Sequence, residues 1–238
     1  NNYLDEKLCL IKMNGGKCRD CTNRVNENLT DAWVKKHILG NRILCLIPIT
    51  ADGTKMGAID FDRSVQDGLE YVFADAKKVK DFCLNLGIKS YIARSSNKGF
   101  HLYFFFDEWM EPKRVTSFLS WVLRETGFAG RMLTHNLTLP EIFPKQSLYN
   151  PEMAGNGLRV PLSEPDVRQG KNCFVDDERN PYPLDMQWKI LQEAEPVKKS
   201  LFDKVIEDNK IEIHSDGFGK SKKRKTIKTK TKITKEDG

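Results

Sequence analysis

The sequence predicts an α+β domain: an antiparallel or mixed sheet with helices covering one face. Three observations lead there. Short apolar runs of strand length gather between residues 42 and 106. A long run with apolar residues at helical spacing, "QDGLEYVFADAKKVKDFCLNLG", divides them. A second helical run, "PKRVTSFLSWVLRETG", follows the last of them. Strands, a helix, paired strands and a second helix give the α+β order.

The elements are justified in turn. The polar, Cys-bearing first segment, 1–41, ends in a helix, "LTDAWVKKHILG", with Thr30 as N-cap and Gly40 as stop. "RILCLIPIT" and "KMGAIDF" read as strands joined by the turn "ADG". In the long helix Leu69, Val72, Phe73, Ala76, Val79, Phe82, Cys83 and Leu86 recur at helical spacing, and Gly87 ends it. "IKSYIA" is a strand, and "FHLYFFF" is a strand entered from a Gly-containing turn. Pro112 opens the second helix in its first turn. After Arg131 the pattern loosens into loops, the short strands "GLRVPL" and "NCFVDD", and closing helices in "PLDMQWKILQEAE" and "KKSLFDKVIEDN". The organisation expected is a Cys-containing segment 1–41, a main domain 42–210 and a basic tail 211–238.

Charge narrows the partners less than it first suggests. The net charge is +6, but from Lys220 onward nine Lys or Arg face two acids. The remaining 30 basic and 31 acidic residues leave the folded part near neutral. The tail has no apolar periodicity and reads as disordered, either a polyanion-binding arm or a solvated linker. No apolar run reaches the roughly 18–20 residues that span a bilayer. The N-terminus has no basic and apolar leader pattern, so a cytoplasmic location is expected. It also lacks an initiator Met, so the chain is expected to belong to something longer.

The chemistry concentrates in two stretches. In "AIDFD" strand alternation puts Ala58, Asp60 and Asp62 on one face and Ile59 and Phe61 on the other. Carboxylates about 6–7 Å apart along a strand suit convergence on cations, and without one their repulsion is costly. The alternative is an exposed strand end with solvated aspartates. In "ARSSNKGFHLYFFF" a small polar turn carries Arg94, Ser95, Ser96 and Lys98, with Gly99 permitting close backbone approach. Hydroxyls, backbone amides and a cation on a tight turn make an anion cradle. His101 follows on a strand that puts it with Tyr103 and Phe105, opposite Leu102, Phe104 and Phe106. It is either a satisfied core histidine or a site residue. The three phenylalanines fit the core better than a base-stacking role.

Taken together, "AIDFD", "RSSNKGFHLYFF" and "LPEIFPKQ…GNGLRVPL" resemble the archaeo-eukaryotic primase superfamily, the primase-polymerases. The nearest group is that of TOTE conflict systems and CRISPR-associated primase-polymerases, whose texture also shows in "NCFVDDERNPY". The resemblance runs from about "ILCLIPIT" to "MQWKIL". It implies an RRM-like sheet at the core of the fold. It implies that Asp60 and Asp62 are catalytic, metal-binding acids, with Glu141 as the third; Asp176 competes for that place. It implies nucleotide contacts from His101, Ser96, Lys98, Arg94, Asn156 and Arg159. For Arg159 an ordinary surface arginine is the alternative. The activity implied is two-metal, template-dependent nucleotidyl transfer with Mg²⁺ or Mn²⁺, on single-stranded DNA and nucleoside triphosphates, with further domains or partners in the full-length protein. The competing functions are a different DxD metal-dependent nuclease or transferase, and a non-catalytic RRM-like nucleic-acid-binding module. The last would leave the aspartates unexplained and would need exposed stacking aromatics on the sheet.

Cys9, Cys18 and Cys21 stand at C-x8-C-x2-C, a spacing that suits one side of a tetrahedral zinc, with His37 as the nearest imidazole for the fourth ligand. Such a Zn²⁺ would be structural. Reduced, unligated cysteines are the alternative.

Overall fold

A computed structural model describes residues 8–11, 29–62, 68–96, 99–128, 139–150 and 156–214; for 8–11 the backbone alone is described. In chain order the elements are β1 (Leu8–Ile11), α1 (Asp31–Ile38), β2 (Ile43–Leu46), β3 (Thr54–Asp62), α2 (Leu69–Asn85), β4 (Tyr91–Arg94), β5 (Gly99–Met110), α3 (Pro112–Glu125), β6 (Glu141–Phe143), β7 (Leu158–Arg159), α4 (Glu164–Val167), β8 (Cys173–Phe174), α5 (Leu184–Gln192) and α6 (Lys199–Asp208). The fold is α+β, with antiparallel strand pairing throughout both sheets.

The main sheet has the order β6-β3-β5-β4-β8, so the two longest strands, β3 and β5, lie at its centre. Their sequences explain this. Ile59 and Phe61 of β3 and Leu102, Phe104 and Phe106 of β5 point to one face. There they meet Val72, Phe73, Ala76, Val79 and Cys83 of α2 and Val115, Phe118, Leu119 and Val122 of α3. Phe202, Val205 and Ile206 of α6 complete this core, with Phe202 edge-on to Phe106 and Phe118. The helical spacing in the sequence and the observed helices agree, and Gly87, at φ +77°, takes the left-handed turn after α2.

The opposite face carries a smaller core of Ala58, Ala93, Tyr103, Phe143, Leu158, Leu162, Cys173 and Phe174. A three-stranded sheet, β1-β2-β7, adjoins it. Leu8–Ile11 therefore pair with Ile43–Leu46. The strands "RILCLIPIT" and "KMGAIDF", expected to be joined by one turn, fall in different sheets. Only Thr50 and Gly53 bridge at the turn itself. Pro48 lies between the two strands and has no N–H for a ladder.

His37 ties these parts together. It is 2 % exposed on α1. Its Nε2–H donates to the Pro161 carbonyl at 2.9 Å, and its Nδ1 accepts from the Leu44 amide at 3.3 Å. Thr30 caps α1 as expected, its Oγ1 accepting from Trp33 N at 3.4 Å.

Candidate active site

Register builds the site. Asp60 on β3 stands opposite Glu141 on β6 and opposite His101 on β5. His101 in turn faces Ala93 on β4. Paired residues on adjacent strands share a face and lie about 5 Å apart. One row across the sheet thus reads Glu141, Asp60, His101, Ala93. Asp62, two residues on, faces Gly99 and is exposed at the rim. Three of the residues singled out in the sequence, far apart along the chain, are brought together on one face.

The reason that β3 and β5 can lie so close at this rim is Gly99. A Cβ there would sit 1.7 Å from the Phe61 carbonyl oxygen. The turn before it is closed by Ser95 N donating to Gly99 O at 2.9 Å and Gly99 N donating to Ser95 Oγ at 3.0 Å. This is the polar turn of the sequence reading. Its Lys98 lies outside the described residues, as do Cys18 and Cys21.

At the centre of the row, Asp60 Oδ1 is 3.3 Å from His101 Nε2. That separation is within ion-pair range, yet the oxygen is buried with no hydrogen-bond partner. At that distance the geometry does not make a hydrogen bond. The other ring nitrogen, Nδ1, lies 3.0 Å from the Tyr103 hydroxyl, which donates to the Arg159 carbonyl at 3.3 Å. Burial pushes the Tyr103 phenol well above its usual range, so it stays a neutral hydroxyl. Glu141 is more exposed. Its Oε2 accepts from Lys145 Nζ at 2.5 Å, and that ammonium also sits 5.0 Å from the Phe143 ring centre.

Beside this row is a closed ring of side chains. Arg159 on β7 donates from Nη1 to Ser96 Oγ at 2.9 Å and from Nη2 to Asp166 Oδ2 at 2.6 Å. Asn172 Nδ2 donates to the same Asp166 oxygen at 2.9 Å, and Ser96 Oγ donates to Asn172 Oδ1 at 3.3 Å. Ser163 Oγ adds a third donor to Asp166 at 3.1 Å. Arg159 Nε is buried without a partner. The ring holds a cation and a hydroxyl in fixed positions next to the turn that precedes His101. Asp166, Asn172 and Tyr103 were not singled out in the sequence. "SEPDV" shows the spacing of a helix start, which hides a carboxylate that instead serves Arg159.

The remaining expected residues lie elsewhere. Arg94 pairs in register with Phe100, and its Nη1 comes within 3.9 Å of the Cβ position over Gly170. Asn156 is exposed ahead of β7. Asp176 accepts from Glu178 N, Asn180 N and Asn180 Nδ2, which makes it the organiser of its own turn. Cys9 lies on β1 with its side chain outside the described residues, and His37 has both ring nitrogens engaged with backbone. A zinc ion at His37 would have to displace one of those bonds. Among the described residues, no three His, Cys, Asp or Glu side chains already converge to hold a metal ion. Nor is any described helix long and apolar enough to cross a membrane.

The structure thus brings together, on a mixed α+β fold, a row of two carboxylates and an imidazole beside an arginine. The sequence profile of the TOTE conflict system archaeo-eukaryotic primase domain matches residues 3–205. The chain belongs to that family. A search of curated proteins returned no match. Family membership carries a primase-like, nucleotidyl-transferase function, with nucleic acid and nucleotides as the general substrates.

Proposed function

We propose that this chain is the catalytic core of a template-dependent primase-polymerase that builds primers on single-stranded DNA from nucleoside triphosphates. The observation that carries the reading is the row Glu141–Asp60–His101 on three adjacent strands, with the buried Asp60 Oδ1 left without a donor. A buried carboxylate oxygen without a donor is costly. A divalent cation satisfies it, so the residues present fit a metal. Asp60, Asp62 and Glu141 supply the oxygen ligands that Mg²⁺ or Mn²⁺ prefers. When bound, such ions supply Lewis acidity at an attacking 3′-hydroxyl and neutralise charge on the leaving pyrophosphate.

The chain's own residues do the rest. Asp60 is fixed by its place in the central strand, so the site is preorganised. Glu141 must leave Lys145 to join Asp60, and the ammonium then stands free at the edge of the site. Arg159, fixed by Ser96, Asp166 and Asn172, presents its remaining guanidinium N–H groups to the triphosphate, with Lys98 and His101 as further contacts. The binding-module alternative is disfavoured by the site face itself. Tyr103, Phe143 and Phe174 are buried there, in the smaller core, and are not offered for stacking.

The test is primer-free synthesis on a single-stranded template with Mg²⁺ or Mn²⁺ and labelled nucleotides. Asp60→Ala should lower product formation by about 100-fold or more and leave template binding intact. Equal synthesis by Asp60→Ala and the wild type would overturn the assignment of the metals to β3. Template binding with no synthesis of any kind would favour the non-catalytic reading.

A further inference from the structure

Three donors converge on one oxygen of Asp166, and the backbone is strained where it brings them there. Asp166 lies in α4, within the segment from Leu162 to Asn172. Its Oδ2 accepts from Arg159 Nη2 at 2.6 Å, Asn172 Nδ2 at 2.9 Å and Ser163 Oγ at 3.1 Å. The segment is closed by Leu162 N donating to Asn172 O at 2.8 Å. Leu162 and Asn172 both take left-handed backbones, at φ +74° and +44°, and both are buried. A leucine holds that conformation only where its surroundings enforce it, and such strain gathers at functional sites. Asn172 passes the contact on. Its Oδ1 accepts from Ser96 Oγ at 3.3 Å, and Ser96 Oγ accepts from Arg159 Nη1 at 2.9 Å. The guanidinium is thus gripped at both terminal nitrogens and its Nε is buried. Each terminal nitrogen keeps a second N–H to give.

We propose that Asp166 is a positioning residue that sets the preference for a triphosphate over shorter phosphates by the aim it gives Arg159, not by charge. The inference rests on the proposed place of Arg159 at the triphosphate. It adds that a carboxylate, which has the wrong charge for an anion site, strengthens binding there. Two effects of Asp166 oppose each other. Its negative charge repels a polyanion and offsets the charge of Arg159. Its oxygen holds the guanidinium in one orientation, so a long side chain need not be ordered again when the ligand arrives. Orientation wins because two-point recognition of phosphate needs the planar fork correctly turned, whereas a charge acting at longer range is screened by salt. A monophosphate, without the β- and γ-phosphates that Arg159 would meet, is blind to that aim.

The test uses the whole chain with Mg²⁺ and no template, and calorimetry reads the affinities for dATP and dAMP. The wild type should bind dATP about 10-fold tighter than dAMP or better. All three side-chain bonds to Asp166 fall on one oxygen, so the amide oxygen of Asp166→Asn can accept them while the charge is lost. Its dATP affinity should stay within about 3-fold of the wild type. Asp166→Glu keeps the charge but carries the carboxylate one methylene further and turns Arg159 from its place. Its dATP affinity should fall about 10-fold, and its dAMP affinity should hold. In an Arg159→Ala background, Asp166→Glu should cause no further loss. Wild-type dATP affinity in Asp166→Glu overturns the inference, as does a loss in Asp166→Asn as large as that in Asp166→Glu. A loss in Asp166→Glu that extends equally to dAMP, or persists without Arg159, would assign Asp166 to packing and overturn it too. So would a wild type that binds dATP no tighter than dAMP. Primer synthesis is not read in any arm. The expected pattern in a chain that makes no primers would therefore sink the functional reading and leave this inference standing.

Discussion

Asp60 and Gly99 show how closely the site depends on single residues. In the proposed reading a cation replaces the water that the Asp60 carboxylate loses in a central strand. The glycine is required because the Phe61 carbonyl passes through the space a side chain would need. Gly99→Ala places a Cβ 1.7 Å from that oxygen, and neither backbone can retreat without breaking the β3–β5 ladder. Urea denaturation should show a loss of about 2–3 kcal/mol or more, and synthesis should fall with it because Asp60 and His101 share that ladder. Arg159→Lys tests the fork. An ammonium cannot reach Ser96 and Asp166 at once as the guanidinium does. Nucleotide KM should rise by about 10-fold or more, with a smaller change in kcat. An unchanged KM would remove Arg159 from the phosphate site.

At the scale of elements, the strands and helices were legible because periodicity reports them directly. The alternation of "AIDFD" placed Asp60 and Asp62 on the face opposite Ile59 and Phe61, and the structure shows that division between two cores. Turns were harder to read, as β2 and β3 show by falling in separate sheets. The edge strand β8, expected in "NCFVDD", is short. It is two residues long, and a buried amide from α5 supports it. Gln187 accepts from Phe174 N at 2.7 Å and donates to Phe174 O at 2.9 Å and Tyr182 O at 2.8 Å, so it acts like a further strand. Gln187→Ala removes the partner of the Phe174 amide and of the Tyr182 carbonyl, while the Phe174 carbonyl keeps the Tyr182 amide. It should cost about 2–4 kcal/mol by chemical denaturation, with hydrogen-exchange protection at Phe174 lost first. Protection that survives the substitution would show that the sheet, not Gln187, holds β8.

For the molecule as a whole, His37 sets a condition on stability. It bonds the end of α1 to β2 and to the residues after β7, and burial lowers its pKa below the ordinary 6.5. The neutral ring is the folded form, and the unfolded chain binds the proton more readily. The stability this linkage protects is therefore complete above about pH 6.5 and is lost as pH falls from there through the lower folded value. Denaturation curves between pH 8 and pH 5 should show the decline, and His37→Phe should flatten it in that window. A decline of equal slope in His37→Phe would place the linkage elsewhere. Electrostatics at this scale also cautions against reading function from pI, since the basic excess sits in residues 220–238, outside the described fold.

The sequence by itself determined the α+β class, the helix faces, the two-faced strands and the candidacy of Asp60, Asp62, His101 and Glu141. The class, the helix faces and the two-faced strands follow from short-range rules, namely side-chain period and turn chemistry, whereas Glu141 is a candidate only through the family resemblance. Only the tertiary structure decided which of them meet. Strand register put Glu141 and His101 on either side of Asp60, and it separated Asp176, whose carboxylate is consumed by its own turn. The ring of Ser96, Arg159, Asp166 and Asn172 joins residues up to 76 positions apart. The contact from His101 to the Tyr103 hydroxyl ends on a carbonyl 56 residues further on. Hydrogen-bond partners of that kind are set by how sheets pack, and no local pattern in the chain encodes them.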